Sequence, residues 1–272
     1  MLWTPNTSGG YDLAIYDFGG VESYFIDINN NNEIAGSHIF APERRNAIFW
    51  QNGTKTDLPG LGGDENFALA LNDSTSIVGY VDGDGTINGA NRYSAAIWQK
   101  DANGNFALTA LGTSGFEQSF AKNINGIGQI VGQFTNGAGA ELTSTPFLWD
   151  NGTFNPLGNL GGTKGDALSI NQAGQIVGFS NDAAEAARAS LWQKGQVFDL
   201  NNLVTNGSGW VLSHATGIND RGQIIGYGTF TDSLGQTETR AFSLETVPES
   251  DLTVGILVIG GLGLLSYKSR RK

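Results

Sequence analysis

The sequence predicts an all-β chain: a five-bladed β-propeller of four-stranded antiparallel repeats over residues 1–245, followed by a transmembrane helix at 252–267. Three observations predict it. One twelve-residue pattern recurs five times, turn-rich segments of strand-like alternation join its copies, and the composition changes abruptly after Ala241-Phe-Ser-Leu244. A period near 48 residues with no 3.6-residue apolar pattern fits a propeller blade better than a helical repeat. An open solenoid is the alternative arrangement of the same units.

The recurring pattern closes on Gly36, Gly79, Gly132, Gly178 and Gly226, separated by 43, 53, 46 and 48 residues. Two full copies are Ala121-Lys-Asn-Ile-Asn-Gly-Ile-Gly-Gln-Ile-Val-Gly132 and Ala167-Leu-Ser-Ile-Asn-Gln-Ala-Gly-Gln-Ile-Val-Gly178. Each copy reads as a hairpin. Asn29, Asn72, Asn125, Asn171 and Asn219 end the first strand and can bond the backbone two residues on. Gly128, Gly174 and Gly222 follow, where a type I turn with a G1 bulge needs positive φ. Asn32 can take that conformation in the first copy; Thr75 in the second is expected to avoid it, giving a different turn.

A second hairpin alternates with the first. Its leading strand carries Trp50, Trp98, Trp149 or Trp192, with Leu2-Trp3 as a truncated copy, and Asn52-Gly53, Asn103-Gly104, Asn151-Gly152 or Lys194-Gly195 make the turn. The returning strand runs into a glycine-rich stretch such as Leu58-Pro-Gly-Leu-Gly-Gly63. Lettered A to D from the Trp strand, each unit is four short strands, so the variable D-to-A segments 39–45, 81–93, 134–144, 180–187 and 229–239 become the links between units. Alternation puts Ala68 and Ala70 on one face and Leu69 and Leu71 on the other. Neither face is consistently charged, so both are expected to be covered by neighbouring sheets, with the recurrent Trp over the recurrent Gly of an adjacent strand. A sugar-binding Trp platform is the competing reading. The strand count adds one expectation: residues 239–245 close the ring by pairing with the first unit near 11–17.

Charge narrows the partners. Up to Glu245 there are 24 acidic and 11 basic residues, a net charge of −13 that repels phosphate, so nucleic acid is excluded as a ligand. The 272 residues contain no cysteine, which removes disulfides and thiol chemistry.

The tail follows a different logic. A linker at 246–251 leads into Leu252 to Tyr267, sixteen uncharged residues spanning about 24 Å as a helix, against a hydrocarbon core of about 30 Å. Lys268, Arg270, Arg271 and Lys272 form a basic end at 268–272, which the positive-inside rule keeps cytoplasmic with the repeats outside. Val247-Pro248-Glu249, the short Gly-rich apolar run and the Arg-rich end resemble the PEP-CTERM sorting tail of bacterial exported proteins, with Ser250 in place of the usual second proline. The resemblance implies processing by an exosortase, an integral membrane enzyme.

Residues 11 to 245 resemble the HAF-repeat extracellular proteins, in the Ile-Asn-x-x-Gly-x-Ile-Val-Gly hairpin and the Leu-Gly-x-Leu-Gly-Gly stretch. The family's His-Ala-Phe-x-Trp strand departs here, with Asn46, Ser94, Thr145, Arg188 and Arg240 at the His position. That resemblance implies an exported, surface-associated protein. Residues 1–20 show neither a basic n-region nor an apolar h-region, so the chain is expected to be a fragment or to have a misassigned start.

No catalytic residue is expected. His38 and His214 fall in different units, and no Gly-x-Ser-x-Gly, His-Glu-x-x-His or Lys-bearing phosphate loop occurs. The strongest metal candidate is a Ca²⁺ loop around Asp82, Asp84 and Asn88, although Tyr80 and Asn91 stand where further carboxylates belong. Two functions remain open: a non-enzymatic surface or matrix protein whose loops bind an exopolysaccharide or surface protein, and a propeller hydrolase or lyase acting on extracellular glycans.

Overall fold

The computed structural model describes residues 2–5, 7–8, 10–14, 19–42, 44–87, 90–205, 207–246 and 257–259. Among them the chain is all β apart from two three-residue 3-10 turns, Gly139–Glu141 and Leu200–Asn202. It divides into two compact units, Met1–Pro156 and Leu157–Lys272.

The first unit holds one hairpin and three four-stranded antiparallel sheets. The hairpin pairs β1 (Leu2–Pro5) with β2 (Tyr11–Ala14). The first sheet runs β3 (Glu22–Ile28), β4 (Ile34–Ala41), β5 (Arg44–Gln51) and β6 (Thr54–Asp57). The second runs β7 (Asn66–Leu71), β8 (Ile77–Ile87), β9 (Ala90–Lys100) and β10 (Phe106–Gly112). The third runs β11 (Gln118–Ile124), β12 (Ile130–Asn136), β13 (Thr143–Asp150) and β14 (Thr153–Pro156). The second unit holds two sheets: β15 (Gly161–Ile170), β16 (Ile176–Asp182), β17 (Ala187–Gln193) and β18 (Gln196–Asp199), then β19 (Trp210–Ile218), β20 (Ile224–Thr231), β21 (Thr237–Thr246) and β22 (Leu257–Ile259).

The sheets are phased differently from the expected units. Each begins at strand C, so its chain order is C, D, A, B. The D-to-A segments are hairpins inside a sheet, as where β8 pairs with β9 out to Ile87 opposite Ala90. The link between the first two sheets is instead the Leu58-to-Gly63 stretch. Its proline lacks a donor and its glycines lack packing groups, so it cannot sustain a ladder, whereas D and A present long alternating apolar strands to each other.

A bulge in strand C sets the packing. The register slips once between Phe25 and Asp27, Ala68 and Ala70, Ala121 and Asn123, Ala167 and Ser169, and Ala215 and Gly217. One extra residue there reverses the alternation. Ala68 and Leu71 therefore join the core shared with Ala35, Ala47 and Phe49 of the first sheet, while Ala70 joins Ala121, Ile124 and Phe147 of the third. The expected smooth and bulky faces are not formed, but both faces of the second sheet are covered. In the second unit Val177, Ala189 and Leu191 pack on Ala215, Ile224 and Phe242.

The same bulge explains the closing glycine. A Cβ at Gly79 would fall on the carbonyl oxygen of Phe67; at Gly36, Gly132, Gly178 and Gly226 it would fall on those of Tyr24, Phe120, Asp166 and His214. The glycine admits a neighbouring backbone and not the Trp ring. The tryptophans lie opposite isoleucine instead, Trp98 against Ile77 and Trp192 against Ile176.

Both chain ends differ from expectation in their strand pairing. Residues 239–245 belong to β21, which pairs with β20 and, at Leu244–Thr246, with β22, while β2 pairs with β1. A five-residue D-to-A turn at 232–236 places β21 beside its own D strand, and its other edge pairs with β22 at Leu244–Thr246. Within the segment read as a transmembrane helix, Leu257–Ile259 pair as a strand with the edge of β21, whose backbone groups they satisfy; residues 252–256 and 260–267 lie outside the described residues. No helix among the described residues is long and apolar enough to cross a membrane. Val247, Pro248, Glu249, Lys268, Arg270, Arg271 and Lys272 lie outside the described residues.

Candidate functional site: the two ends of the sheets

Antiparallel order places the C–D and A–B turns at one end of each sheet and the D–A hairpin at the other. The two ends differ in character. At the C–D end the turn asparagines act as expected and do more. Asn72 Oδ1 accepts from the backbone N–H of Ser74 and Ser76 at 3.1 and 3.0 Å, and Asn171 and Asn219 repeat that pattern. The amide nitrogen also reaches the next sheet: Asn29 Nδ2 donates to the Asn72 carbonyl, Asn72 to that of Asn125 and, in the second unit, Asn171 to that of Asn219, at 3.0 to 3.1 Å. Asp73 caps the Asn30 N–H and Asp220 the Gln172 N–H. Asp27 completes the seam by accepting from Leu71 N–H at 2.9 Å, and its burial raises the carboxyl pKa.

Gly128, Gly174 and Gly222 have positive φ in these turns, as does Asn32. Thr75 adopts φ 60° as well, contrary to expectation. Its hydroxyl donates to the buried Glu33 carboxylate at 2.7 Å, a charge-assisted bond that offsets the strained backbone.

The D–A end varies from sheet to sheet, and the second sheet carries the densest group of functional side chains. Asp82 lies on β8 opposite Tyr93, within a sheet and not in a loop between units. It is buried, accepts from the backbone N–H groups of Asp64 and Arg92, and burial raises its pKa. Its Cγ sits where a Cβ at Gly63 would come within 2.6 Å, so the glycine-rich link closes over the carboxyl. Of the other calcium candidates, Asp84 has its side chain outside the described residues and Asn88 lies wholly outside them. Among the described residues no three His, Asp or Glu side chains converge as a metal group.

Beside Asp82 stands a cluster that repeat reasoning passed over. Phe67 stacks on Tyr80 at 4.4 Å, Tyr80 meets Tyr93 and Phe120 edge-on at 5.2 and 4.9 Å, and the Arg45 guanidinium covers Phe67 at 4.4 Å. The Tyr93 hydroxyl donates to Glu65, and Arg44 pairs with Asp64 at 2.9 Å on the exposed rim. Burial pushes the Tyr80 phenol up to about 12, against the opposing pull of Arg45. A phenol so placed stays protonated at neutral pH and supplies ring faces, not a base. The sequence signal was an aromatic directly after the closing glycine, present as Tyr80, Phe179 and Tyr227.

His38, His214, Trp98 and Trp192 are packed into the fold. His38 Nε2 lies 2.7 Å from the Gly19 carbonyl, and His214 is stacked on Tyr227 at 4.7 Å with Phe179 at 4.5 Å. Trp98 and Trp192 are buried and donate their indole N–H to the carbonyls of Pro59 and Gly158, both at 2.7 Å. Those two indoles cannot serve as sugar platforms; they tie the glycine-rich link to the sheet it enters.

No family model matches the chain, and no curated protein matches it. Among solved structures, TolB from Acinetobacter baumannii is similar with a TM-score of 0.47 and 13% identity, over 88% of this chain and 57% of that one. A mutant of AofleA from Arthrobotrys oligospora is similar with a TM-score of 0.37 and 12% identity, over 88% of this chain and 75% of that one. The chain thus spans little more than half the length of the TolB chain.

Proposed function

We propose that the chain is a non-enzymatic repeat scaffold of the bacterial cell exterior, its sheets arranged as propeller blades, its tail sorted to the membrane, and its D–A hairpins offered to an exopolysaccharide or a surface protein. The observation that carries this reading is the contrast between the ends. The recurrent asparagines at the C–D end are engaged in joining sheets, whereas the D–A hairpins differ in length and chemistry from one sheet to the next. Repeat scaffolds carry recognition where the repeats differ.

The sorting reading draws on Val247-Pro248-Glu249, the apolar run 252–267 and the basic end, and it includes processing by an exosortase-type enzyme. Entry of that run into a bilayer requires Leu257–Ile259 to leave β21. The test is expression behind an export signal in a bacterium, followed by fractionation and external protease treatment. The chain should sediment with membranes and lose its repeats to the protease. Recovery in the soluble cytoplasmic fraction, protected from protease, would refute the reading. A glycan array probed with the same protein then separates polysaccharide from protein partners.

A further inference from the structure

Trp3, Trp50, Trp98, Trp149 and Trp192 all stand in A strands, and the sixth tryptophan, Trp210, does not. It opens β19, at the D–A end of the fifth sheet. Counted back from the turn asparagine, its place is held by Gly20, Gly63 and Gly162 in the first, second and fourth sheets. A Cβ at those glycines would come within 2.6, 2.6 and 2.5 Å of a D-strand carbonyl oxygen, of Ile39, Asp82 and Asp182 in turn. The backbone there lies tight on the D strand, with no room for a side chain. The third sheet has Phe116, an apolar ring stacked on the buried Phe134. Only the fifth places a ring with a polar edge at this position.

The indole begins a row across three strands. Trp210 lies opposite Phe230 on β20, and Phe230 opposite Glu238 on β21. The two rings are 5.3 Å apart, and the Arg240 guanidinium covers Phe230 at 4.7 Å. Glu238 Oε2 accepts from Arg240 Nε and Nη2 at 3.2 and 2.9 Å, which holds the guanidinium over the ring. Every member belongs to the second unit, and Trp210 rests on the core that Leu212, Phe242 and Leu244 share with the fourth sheet.

That packing accounts for the inner part of Trp210 and leaves the polar edge of the row unused. The Trp98 and Trp192 indoles donate to link carbonyls, whereas Trp210 Nε1 and Arg240 Nη1 donate to no atom of the described residues, and Glu238 Oε1 accepts from none. Two donors and an acceptor beside half-buried rings match a sugar. A pyranose lays its C–H face on an indole, and each of its hydroxyls both accepts and donates. The Arg240–Glu238 pair carries no net charge and the chain around it is acidic, so the sugar that fits is neutral.

We propose that Trp210, Arg240 and Glu238 form a binding site for one neutral pyranose unit of an exopolysaccharide. Arg240 Nη1 and Glu238 Oε1 engage neighbouring hydroxyls, and the indole takes the apolar face. The inference rests on the reading of the D–A hairpins as the recognition end and names the sugar class and the residues that hold it.

The purified full chain is titrated with cellohexaose, maltohexaose and mannohexaose, read by tryptophan fluorescence and calorimetry, with hexagalacturonate as the acidic counterpart. At least one neutral oligosaccharide should bind saturably and change the emission, with a dissociation constant of about 1 mM or tighter. Trp210→Ala and Glu238→Ala should each weaken that binding by about tenfold or more. The Glu238 side chain is 64% exposed, so circular dichroism and thermal melting of Glu238→Ala should stay unchanged and separate the loss from misfolding. Absence of binding by all three neutral oligosaccharides at about 10 mM overturns the proposal. So does binding that survives either substitution, or hexagalacturonate binding more tightly than any neutral probe. Export and protease access are measured apart from this titration. A failed titration therefore leaves the exterior reading standing, and a cytoplasmic chain that still binds the sugar leaves this site standing.

Discussion

Asn72 Nδ2 donates to the carbonyl oxygen of Asn125 at 3.0 Å, across the boundary between the second and third sheets. One side chain thus closes a turn within its own sheet and reaches the turn of the next. An aspartate could copy the first task but not the second, since an ionised carboxylate has no N–H to donate.

This dual role predicts unequal effects at equivalent positions. Asn72→Ala strips the buried Ser76 N–H and the exposed Ser74 N–H of their side-chain acceptor and takes the intersheet donor from the Asn125 carbonyl, and should cost about 2–3 kcal/mol in chemical denaturation. Asn219→Ala removes exposed turn bonds and should cost about 1 kcal/mol. Equal losses would deny the link between sheets.

Gly79→Ala should be far more harmful than its size implies. The new methyl would lie on the Phe67 carbonyl, a backbone atom fixed by the ladder, so a loss of about 3 kcal/mol or more is expected. Gly104→Ala has open space around it and only its positive φ to answer for, so about 1 kcal/mol is expected there. Thermal denaturation of both variants checks the ranking.

Trp98 is fully buried and bonded to the Pro59 carbonyl. Trp98→Phe keeps much of the packing and strands that carbonyl, for a cost of about 1–3 kcal/mol. Trp98→Ala should cost about 3–5 kcal/mol. A loss under about 0.5 kcal/mol for the alanine variant would place the indole on the surface.

Tyr80 gives the pH signature. Its folded phenol titrates at about 12, above the ordinary value near 10, so the folded state holds this proton longer than the unfolded chain. The contribution to stability is complete below pH 10 and is lost as pH rises through about 12. Ultraviolet titration should show a tyrosine phase near pH 12. Tyr80→Phe should remove that phase and flatten the alkaline fall in stability.

The sequence by itself determined the repeat, the hairpins and the turn chemistry, because these are local. Asn and Gly at fixed offsets force a turn wherever they occur, and Asn32, Gly128, Gly174 and Gly222 have the backbone conformation that rule requires. The four-strand repeat followed from the same periodicity. Only the tertiary structure decided which four strands share a sheet, since an antiparallel repeat can be cut at any strand and keep its local pattern. It also decided what Gly79 and Trp98 are for. The bulge at Leu69 shifts one strand against another, and no single strand records where its neighbour's carbonyl will fall. The Arg45–Phe67–Tyr80 cluster was hidden for the same reason, its members coming from three strands of two sheets, β5, β7 and β8, joined only by folding. At Leu257–Ile259 the apolar run satisfied the sequence rule for a membrane helix, while the open edge of β21 offered its backbone a different set of partners.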